Sequence, residues 1–425
     1  MRRILIIGSG GREHAIVWTI KQTSSEPVEI FCAPGNAGIQ QLARNVNISV
    51  NDQSALAELV EAEKIDLTFV GPEAPLVAGI VDLFTERGLR IVGPNAAAAQ
   101  LEGSKIFAKD FMSRHEIPTA TYRVAEAPQQ AIECLRSGEF GSADNPVVIK
   151  ADGLAAGKGV VVAANRVEAE QAIEDLMVRH AAGRDAAARV VIEQALTGTE
   201  ASLLVFADGR DYVLMPAARD HKRIGENDTG PNTGGMGTIT DGAVLEKSIQ
   251  ARVLREIVEP TLAGAREEGF AFKGVLFLGL MLTSDGPKLL EYNVRFGDPE
   301  TQAILVRLKT DLLSIFESMD RGTLASLDVS WSEGSSACVV AANKGYPGNH
   351  EKGAVIEGLE QVREVQVFHA GTARNADGHF IATGGRVLGV TAGAENLNRA
   401  LSLCYAALGK IQWHGMQFRR DIGRT

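Results

Sequence analysis

The chain has 425 residues, 43 Lys and Arg against 53 Asp and Glu, a formal net charge of −10 and a pI near 5.4. That balance excludes a broad basic surface, and with it bulk binding to nucleic acid or membrane; an anionic ligand must be met by a few local cations. The length suits about three domains, and the 45% hydrophobic and 23% charged fractions are those of a chain with full cores.

The first element is the apolar run Ile4 to Ile7, ended at once by Gly8-Ser9-Gly10-Gly11 and followed by a helix-compatible stretch from Glu13 to about Lys21. The run is too short for a signal segment. Further short apolar runs, Val28 to Cys32, Leu67 to Val70 and Arg90 to Val92, each end in Gly/Pro punctuation. Strands alternating with helices predict a parallel α/β sheet. Ligands of such sheets gather at the carboxyl ends of the strands, here Gly8–Arg12, Pro34–Gly38, Gly71–Glu73 and Gly93–Asn95. A dinucleotide fingerprint is not met: its third glycine falls on Glu13, and the second strand ends in Cys32-Ala33-Pro34 without an acidic residue. The loop still offers backbone N–H groups and a helix N-terminus to a phosphate, with Arg12 as a positive fork.

A polar helix is expected over Glu102 to Glu116, with Lys105 an ordinary surface lysine if read alone. Then come β-rich segments at Val147–Lys150, Val160–Ala163 and Val190–Glu193. They surround the turn Asp152-Gly153-Leu154-Ala155-Ala156-Gly157-Lys158-Gly159. Lys150, just before that turn, is placed to reach a nucleotide phosphate, and the turn can fold over phosphates with its N–H groups, although it is no Walker A motif. Strands are expected at Ser202–Ala207, Val275–Thr283, Lys288–Val294, Ala337–Ala342, Gln366–Ala370 and Arg386–Thr391. Asp220-His221-Lys222-Arg223 and Pro231 to Gly237 read as polar loops without regular structure, with His221 not assigned as a base.

Leu289-Leu290-Glu291-Tyr292-Asn293-Val294-Arg295 carries the sharpest chemistry. Alternate side chains of a strand share a face, so Glu291, Asn293 and Arg295 should point together. A carboxylate and an amide oxygen suit Mg²⁺, and an arginine beside them suits charge on a transferred phosphoryl group. No Ser/His/Asp or Cys/His arrangement is present, and the four cysteines, Cys32, Cys134, Cys338 and Cys404, form no Cys-x-x-Cys pair. Scattered thiols and no apolar stretch of about 18 residues point to the cytoplasm.

Several strings resemble the phosphoribosylamine–glycine ligase (glycinamide ribonucleotide synthetase) family of the ATP-grasp superfamily. They are Gly8 to His14, Ala33 to Gly38, Val70 to Leu76, Leu101 to Lys105, Ile149 to Gly159, Asp220 to Arg223, Thr229 to Gly237, Arg295 to Thr301 and Gly384 to Val387. The likeness covers almost the whole chain. It implies an α/β protein with an N-terminal parallel-sheet domain (1–104) holding phosphoribosylamine, an ATP-grasp core (105–325) whose lid subdomain (about 120–195) clamps ATP, and a C-terminal mixed α/β domain (326–425). By the same resemblance Lys105, Lys150 and the loop residues Gly157, Lys158 and Gly159 contact ATP. Glu193, Gln194, Ala195 and Leu196 form the hinge against adenine, and Glu200 meets the ribose. Glu291 and Asn293 hold Mg²⁺ or Mn²⁺. Gly10, Gly11, Arg12, Glu13, Asn36, Glu73, Gly297 and Asp298 border the substrate. Asp220, Lys222 and Arg295 lie where glycine, the amine and the transferred phosphate meet. The implied reaction joins glycine to phosphoribosylamine through glycyl phosphate, in a monomer acting on small molecules alone. Rival readings are another ATP-grasp ligase, taking bicarbonate or D-alanine, and a nucleotide sensor without turnover. The chain departs from the family at Thr238-Ile239-Thr240-Asp241, where Ala-Tyr-Ser-Pro is usual, at Arg219 for a glutamine and at Gln194 for a glutamate.

Overall fold

Four short apolar runs and one two-residue strand line up in parallel near the N-terminus, in the order Arg44–Asn45, Val28–Pro34, Arg2–Gly8, Leu67–Val70, Ile91–Val92. This computed structural model describes residues 1–155, 159–181, 183 and 186–424. The strand Arg44–Asn45 has no apolar run and was not expected from the sequence. The order reverses between Arg2–Gly8 and Leu67–Val70, which opens a crevice at their carboxyl ends. The helices that start there carry Arg12 and Glu73 in their first turns. Helix Gly11–Thr23 leaves the first strand directly, and Glu13 accepts a hydrogen bond from the Gly10 N–H at 2.6 Å, closing the helix start.

The single polar helix expected over Glu102 to Glu116 is two helices, Ala96–Gly103 and Lys105–Arg114. Ser104 separates them in an extended conformation and caps the second through the Phe107 N–H. Asp152 reinforces the break: its carboxylate accepts from Ser104 Oγ at 2.8 Å and the Ile106 N–H at 2.9 Å. The second helix is not polar on its inner face, where Ile106, Ala108, Phe111 and Met112 are buried, and Lys109 with them.

Four antiparallel strands, in the order Tyr122–Ala125, Val190–Gln194, Val147–Ala151, Val160–Ala163, form a small sheet. Helices Pro128–Arg136 and Arg166–Ile173 cover it and enclose a separate apolar cluster with Leu135, Ile149 and Ile173 at its heart. The main sheet has ten strands. Eight form the path Gly286–Asn293, Lys273–Thr283, Thr199–Asp208, Ala218–Asp220, Gly237–Thr240, Ser335–Asn343, Arg386–Ala394, Gln366–His369, while Tyr212–Leu214 and Met416–Gln417 pair beside it. The sheet continues unbroken from the core into the C-terminal third, because Gly237–Thr240 pairs with Ser335–Asn343.

The two stretches expected to be irregular polar loops contain strands. Asp220 ends a strand, and Arg223–Gly225 pairs with Thr229–Asn232 in a hairpin. Backbone pairing to neighbours in the sheet overrides the low strand propensity of these residues.

Candidate active site

The strand Gly286–Asn293 and the residues after it bury alternate side chains. Tyr292, Val294 and Phe296 pack inward, while Glu291, Asn293 and Arg295 stay half-buried on the other side. The three do converge. Arg295 donates to Asn293 Oδ1 at 3.2 Å, to Glu102 Oε1 at 2.8 Å and to Glu73 Oε2 at 3.2 Å. Glu102 in turn accepts the Val294 N–H at 2.7 Å. Two carboxylates from the N-terminal region thus fix the guanidinium, which stays charged because they outweigh its burial. Burial alone would raise the Glu73 pKa, but Arg295 and Arg12 pull it below the ordinary value. Glu102 is the opposite case: burial holds its proton affinity up in spite of Arg295.

Glu291 faces a ring of cations. Burial opposes its charge, yet Lys222, Lys150, Lys105 and Arg295 together hold its pKa below normal. Among the described residues its carboxylate accepts no hydrogen bond. An ionised carboxylate with free oxygens, two residues along a strand from an amide oxygen, is a donor set that fits a hard divalent cation sharing phosphate oxygens and water. Lys150 Nζ lies 2.9 Å from Glu193 Oε2 and donates to the Leu290 carbonyl at 3.2 Å. Lys222 Nζ lies 3.2 Å from Glu200 Oε2.

A second group of acids lies beside the first. Burial and the charge of Glu300 raise the Asp220 pKa, and burial raises that of Glu300. Thr238 donates to Asp220 Oδ1 at 3.3 Å, so one residue of the unusual Thr238-Ile239-Thr240 string supports a site residue directly. Asp298 is held ionised against its burial by Arg386 and Arg12, and it accepts the Arg12 N–H at 3.3 Å. His221 is buried scaffold, its Nδ1 on the Gly237 carbonyl and its Nε2 accepting the Gly423 N–H.

Arg12, Glu73, Asp298, Arg295, Asn293, Glu291, Lys105, Lys150 and Lys222 therefore share one charged region. Other residues named from the sequence are spent on structure. Asn36 donates to the Ser9 and His369 carbonyls at 2.9 and 2.8 Å and accepts the N–H groups of Gly38 and Ile39. Arg12 belongs to the charged region and is also held in place there, its guanidinium engaged by Glu13 at 2.6 Å and the Phe296 carbonyl at 3.0 Å. Gly10 and Gly11 have no room for a side chain, since a Cβ would meet Glu13 and Gln302; at Gly297 it would meet Glu300. Glu193 is buried by its side chain, while Gln194 uses its N–H on the Thr121 carbonyl. Among the described residues, Ala195 and Leu196 engage no backbone hydrogen bond, leaving a free edge after the strand Val190–Gln194. The Gly159 carbonyl accepts the Ala151 N–H at 2.7 Å. Gly157 and Lys158 lie outside the described residues. Sequence reasoning missed Glu102, Lys109, Glu300 and Arg386 as individual site residues. Three of them sit inside strings that carried the resemblance; Lys109 gave no signal.

Comparison with known proteins agrees along the whole chain. Residues 2–102 match the phosphoribosylglycinamide synthetase N domain, 103–301 its ATP-grasp (A) domain and 336–425 its C domain. The chain is 50% identical over 425 residues to a phosphoribosylamine–glycine ligase of Xanthomonas campestris and 49% identical to one of Pseudomonas aeruginosa. In both cases the match covers 99% of this chain and 97% of the relative. The crystal structure of a phosphoribosylamine–glycine ligase from Thermotoga maritima superposes with a TM-score of 0.85 at 35% identity, covering 99% of each chain. A biotin carboxylase from Campylobacter jejuni shares the fold, with a TM-score of 0.70 at 15% identity.

Proposed function

Because the chain belongs to the phosphoribosylglycinamide synthetase family, we propose residue roles for the reaction of that family. The protein is an ATP-dependent ligase of purine biosynthesis, joining glycine to 5-phosphoribosylamine to give glycinamide ribonucleotide, ADP and phosphate. A carboxylate is a poor electrophile at neutral pH. Transfer of the ATP γ-phosphoryl group to the glycine carboxylate supplies a leaving group, and the amine of phosphoribosylamine then attacks the acyl carbon of glycyl phosphate. Catalysis of this kind is positioning plus electrostatics.

On this reading Lys105 and Lys150 hold the ATP phosphates, Glu193 to Leu196 border adenine through the free backbone edge, and Glu200 meets the ribose. Glu291 and Asn293 would hold the divalent cation, Mg²⁺ or Mn²⁺, which supplies charge neutralisation at the phosphates. Arg295, clamped by Glu73 and Glu102, faces the transferred phosphoryl group. Asp220, with its raised proton affinity, takes the proton the attacking amine sheds, and Lys222 balances its charge. Arg12, Asp298, Glu73 and the loop glycines border the sugar phosphate. The functional units are 1–104, 105–325 with the lid near 120–195, and 326–425, in a monomer of the cytoplasm; among the described residues no helix is long and apolar enough to cross a membrane.

The observation that carries this reading is the convergence of Glu291, Asn293 and Arg295, with Arg295 held by Glu73 and Glu102 from the N-terminal helices. The test is ADP formation with freshly generated phosphoribosylamine, with glycine, bicarbonate or D-alanine as the acyl source. Glycine alone should support turnover. ADP release that ignores glycine, or prefers another acid, would overturn the assignment.

A further inference from the structure

Under the lid sheet, three charged side chains are shut away from water together. Lys150 Nζ lies 2.9 Å and Lys109 Nζ 3.2 Å from the same oxygen of Glu193, Oε2, and none of the three side chains is more than 7% exposed. The other oxygen, Oε1, is buried and has no hydrogen-bond partner among the described residues. Lys109 also donates to Thr119 Oγ1 at 2.6 Å, and Thr119 donates to the Leu289 carbonyl at 2.6 Å. Lys150 donates to the next carbonyl, Leu290. Both lysines are therefore tied to the strand that carries Glu291 and Asn293, one directly and one through a hydroxyl.

Two ammonium groups on one carboxylate are more than charge balance requires, and the reason lies in what Lys150 must do. To reach a phosphate, Lys150 has to give up Glu193. If Lys150 were the sole partner, its departure would strand a buried carboxylate, which is strongly unfavourable. With Lys109 present, the carboxylate keeps a counter-ion throughout. We propose that Lys109 is a positioning residue that keeps Glu193 neutralised while Lys150 exchanges Glu193 for the phosphates of ATP. The inference rests on the reading of Lys150 as a phosphate ligand.

The placement of Lys109 fits that task. It lies one helical turn beyond Lys105 on helix Lys105–Arg114, so the two share a face. Lys105 is half-buried and acts on Glu291, whereas Lys109 is only 2% exposed and has its ammonium on Glu193 and Thr119. Burial depresses the Lys109 pKa to about 8, and the Glu193 carboxylate opposes that fall.

The experiment is a double-mutant cycle on the full chain, read by steady-state kinetics with ATP and glycine varied separately. Lys109→Gln keeps a donor for Thr119 and loses only the charge. It should raise KM for ATP roughly thirtyfold or more, the scale set by leaving Lys150 as the sole partner of a buried carboxylate, and leave KM for glycine within about twofold. In a Glu193→Gln background there is no carboxylate to neutralise, so adding Lys109→Gln should change KM for ATP by less than about twofold. Equal effects in both backgrounds, or no effect in the native one, would overturn the proposal. Lys150→Met separates the two levels: if it leaves KM for ATP unchanged, the phosphate role of Lys150 is wrong, whereas a large rise with an inert Lys109→Gln condemns the partner exchange alone. Should Lys109→Gln not fold, Lys109→Met replaces it in the same cycle under the same criteria. If neither neutral variant folds in the native background but both fold with Glu193→Gln, Lys109 serves stability and the proposal falls.

Discussion

Arg386 is joined to Asp298 twice: its guanidinium lies 3.4 Å from the Asp298 carboxylate and donates to the Asp298 backbone carbonyl at 2.6 Å. The same group donates to the Gly234 carbonyl. One side chain from the C-terminal part of the sheet thus fixes two loops, at Gly234 and Asp298. Arg386→Ala removes the chief counter-charge of Asp298 and frees both loops. The expected loss is about hundredfold in kcat/KM for glycine and phosphoribosylamine, or about 3 kcal/mol, with KM for ATP little changed. Arg386→Lys should recover only part, because one ammonium cannot serve a carboxylate and two carbonyls as a planar fork does. Varying each substrate in turn checks this, and a uniform loss across all three would refute it.

Glu291 stays ionised because four cations outweigh its burial. Glu291→Gln leaves those cations facing one another and, on the proposed metal assignment, would deprive the divalent ion of the only carboxylate on that strand. The Mg²⁺ concentration for half-maximal ADP formation should rise at least about tenfold and kcat should fall about hundredfold or more. Asn293→Ala should show a smaller shift in the same direction, since a water can replace a neutral amide. A Mg²⁺ titration of both variants decides it; unchanged Mg²⁺ dependence in Glu291→Gln would remove this residue from the metal site.

Gly235 adopts φ +110°, and a Cβ there would press on Pro299 and come within 2.7 Å of Asp220 Oδ1. Gly235→Ala therefore combines backbone strain with displacement of a site carboxylate. It should cost about 2–4 kcal/mol of stability and lower kcat by more than Ala substitution at the open Gly242, where nothing lies within 4 Å. Thermal unfolding and kcat measured side by side test both halves; near-native kcat at native stability would contradict the crowding argument.

The period-two pattern at Glu291, Asn293 and Arg295 was legible because alternation is local: three polar residues and three buried neighbours follow from strand geometry alone. The parallel sheet was legible for the same reason, its strands being short apolar runs cut by glycine and proline. Lys109 was not legible. In sequence it is one of two lysines on a helix, and its burial beside Glu193 depends on a distant strand. Asn36 fails in the other direction. It stands at a strand end where ligands gather, yet its amide is consumed in pinning three backbone segments, and a motif does not distinguish ligand contact from scaffold. The helix break at Ser104 had a visible sign, a serine in a capping position, but Asp152, which secures it, comes from across the fold.

His14 and His369 join the first helix to the C-terminal part of the sheet as a neutral pair. The His369 N–H donates to His14 Nδ1 at 2.8 Å, and His369 Nδ1 contacts Thr372 Oγ1 at 3.1 Å. Burial, aided by His369, lowers the His14 pKa to about 3; burial, aided by Arg374, lowers that of His369 to about 4. Both folded values lie below the usual 6.5 of an unfolded chain. Above pH 6.5 neither state binds these protons and the pair costs nothing. As pH falls below 6.5 the unfolded chain takes up protons that the folded chain refuses, so stability drops until the folded pKa values are reached. At pH 5 that amounts to about 2 kcal/mol for each histidine, about 4 kcal/mol together. His221, also lowered by burial, adds in the same direction. Urea unfolding of the native chain and of a His14→Gln, His369→Gln double variant, each from pH 7 to pH 5, isolates the pair. The double variant should lose about 4 kcal/mol less over that interval while keeping the His221 share of the slope. Parallel pH profiles would show that this clamp does not titrate as its burial requires.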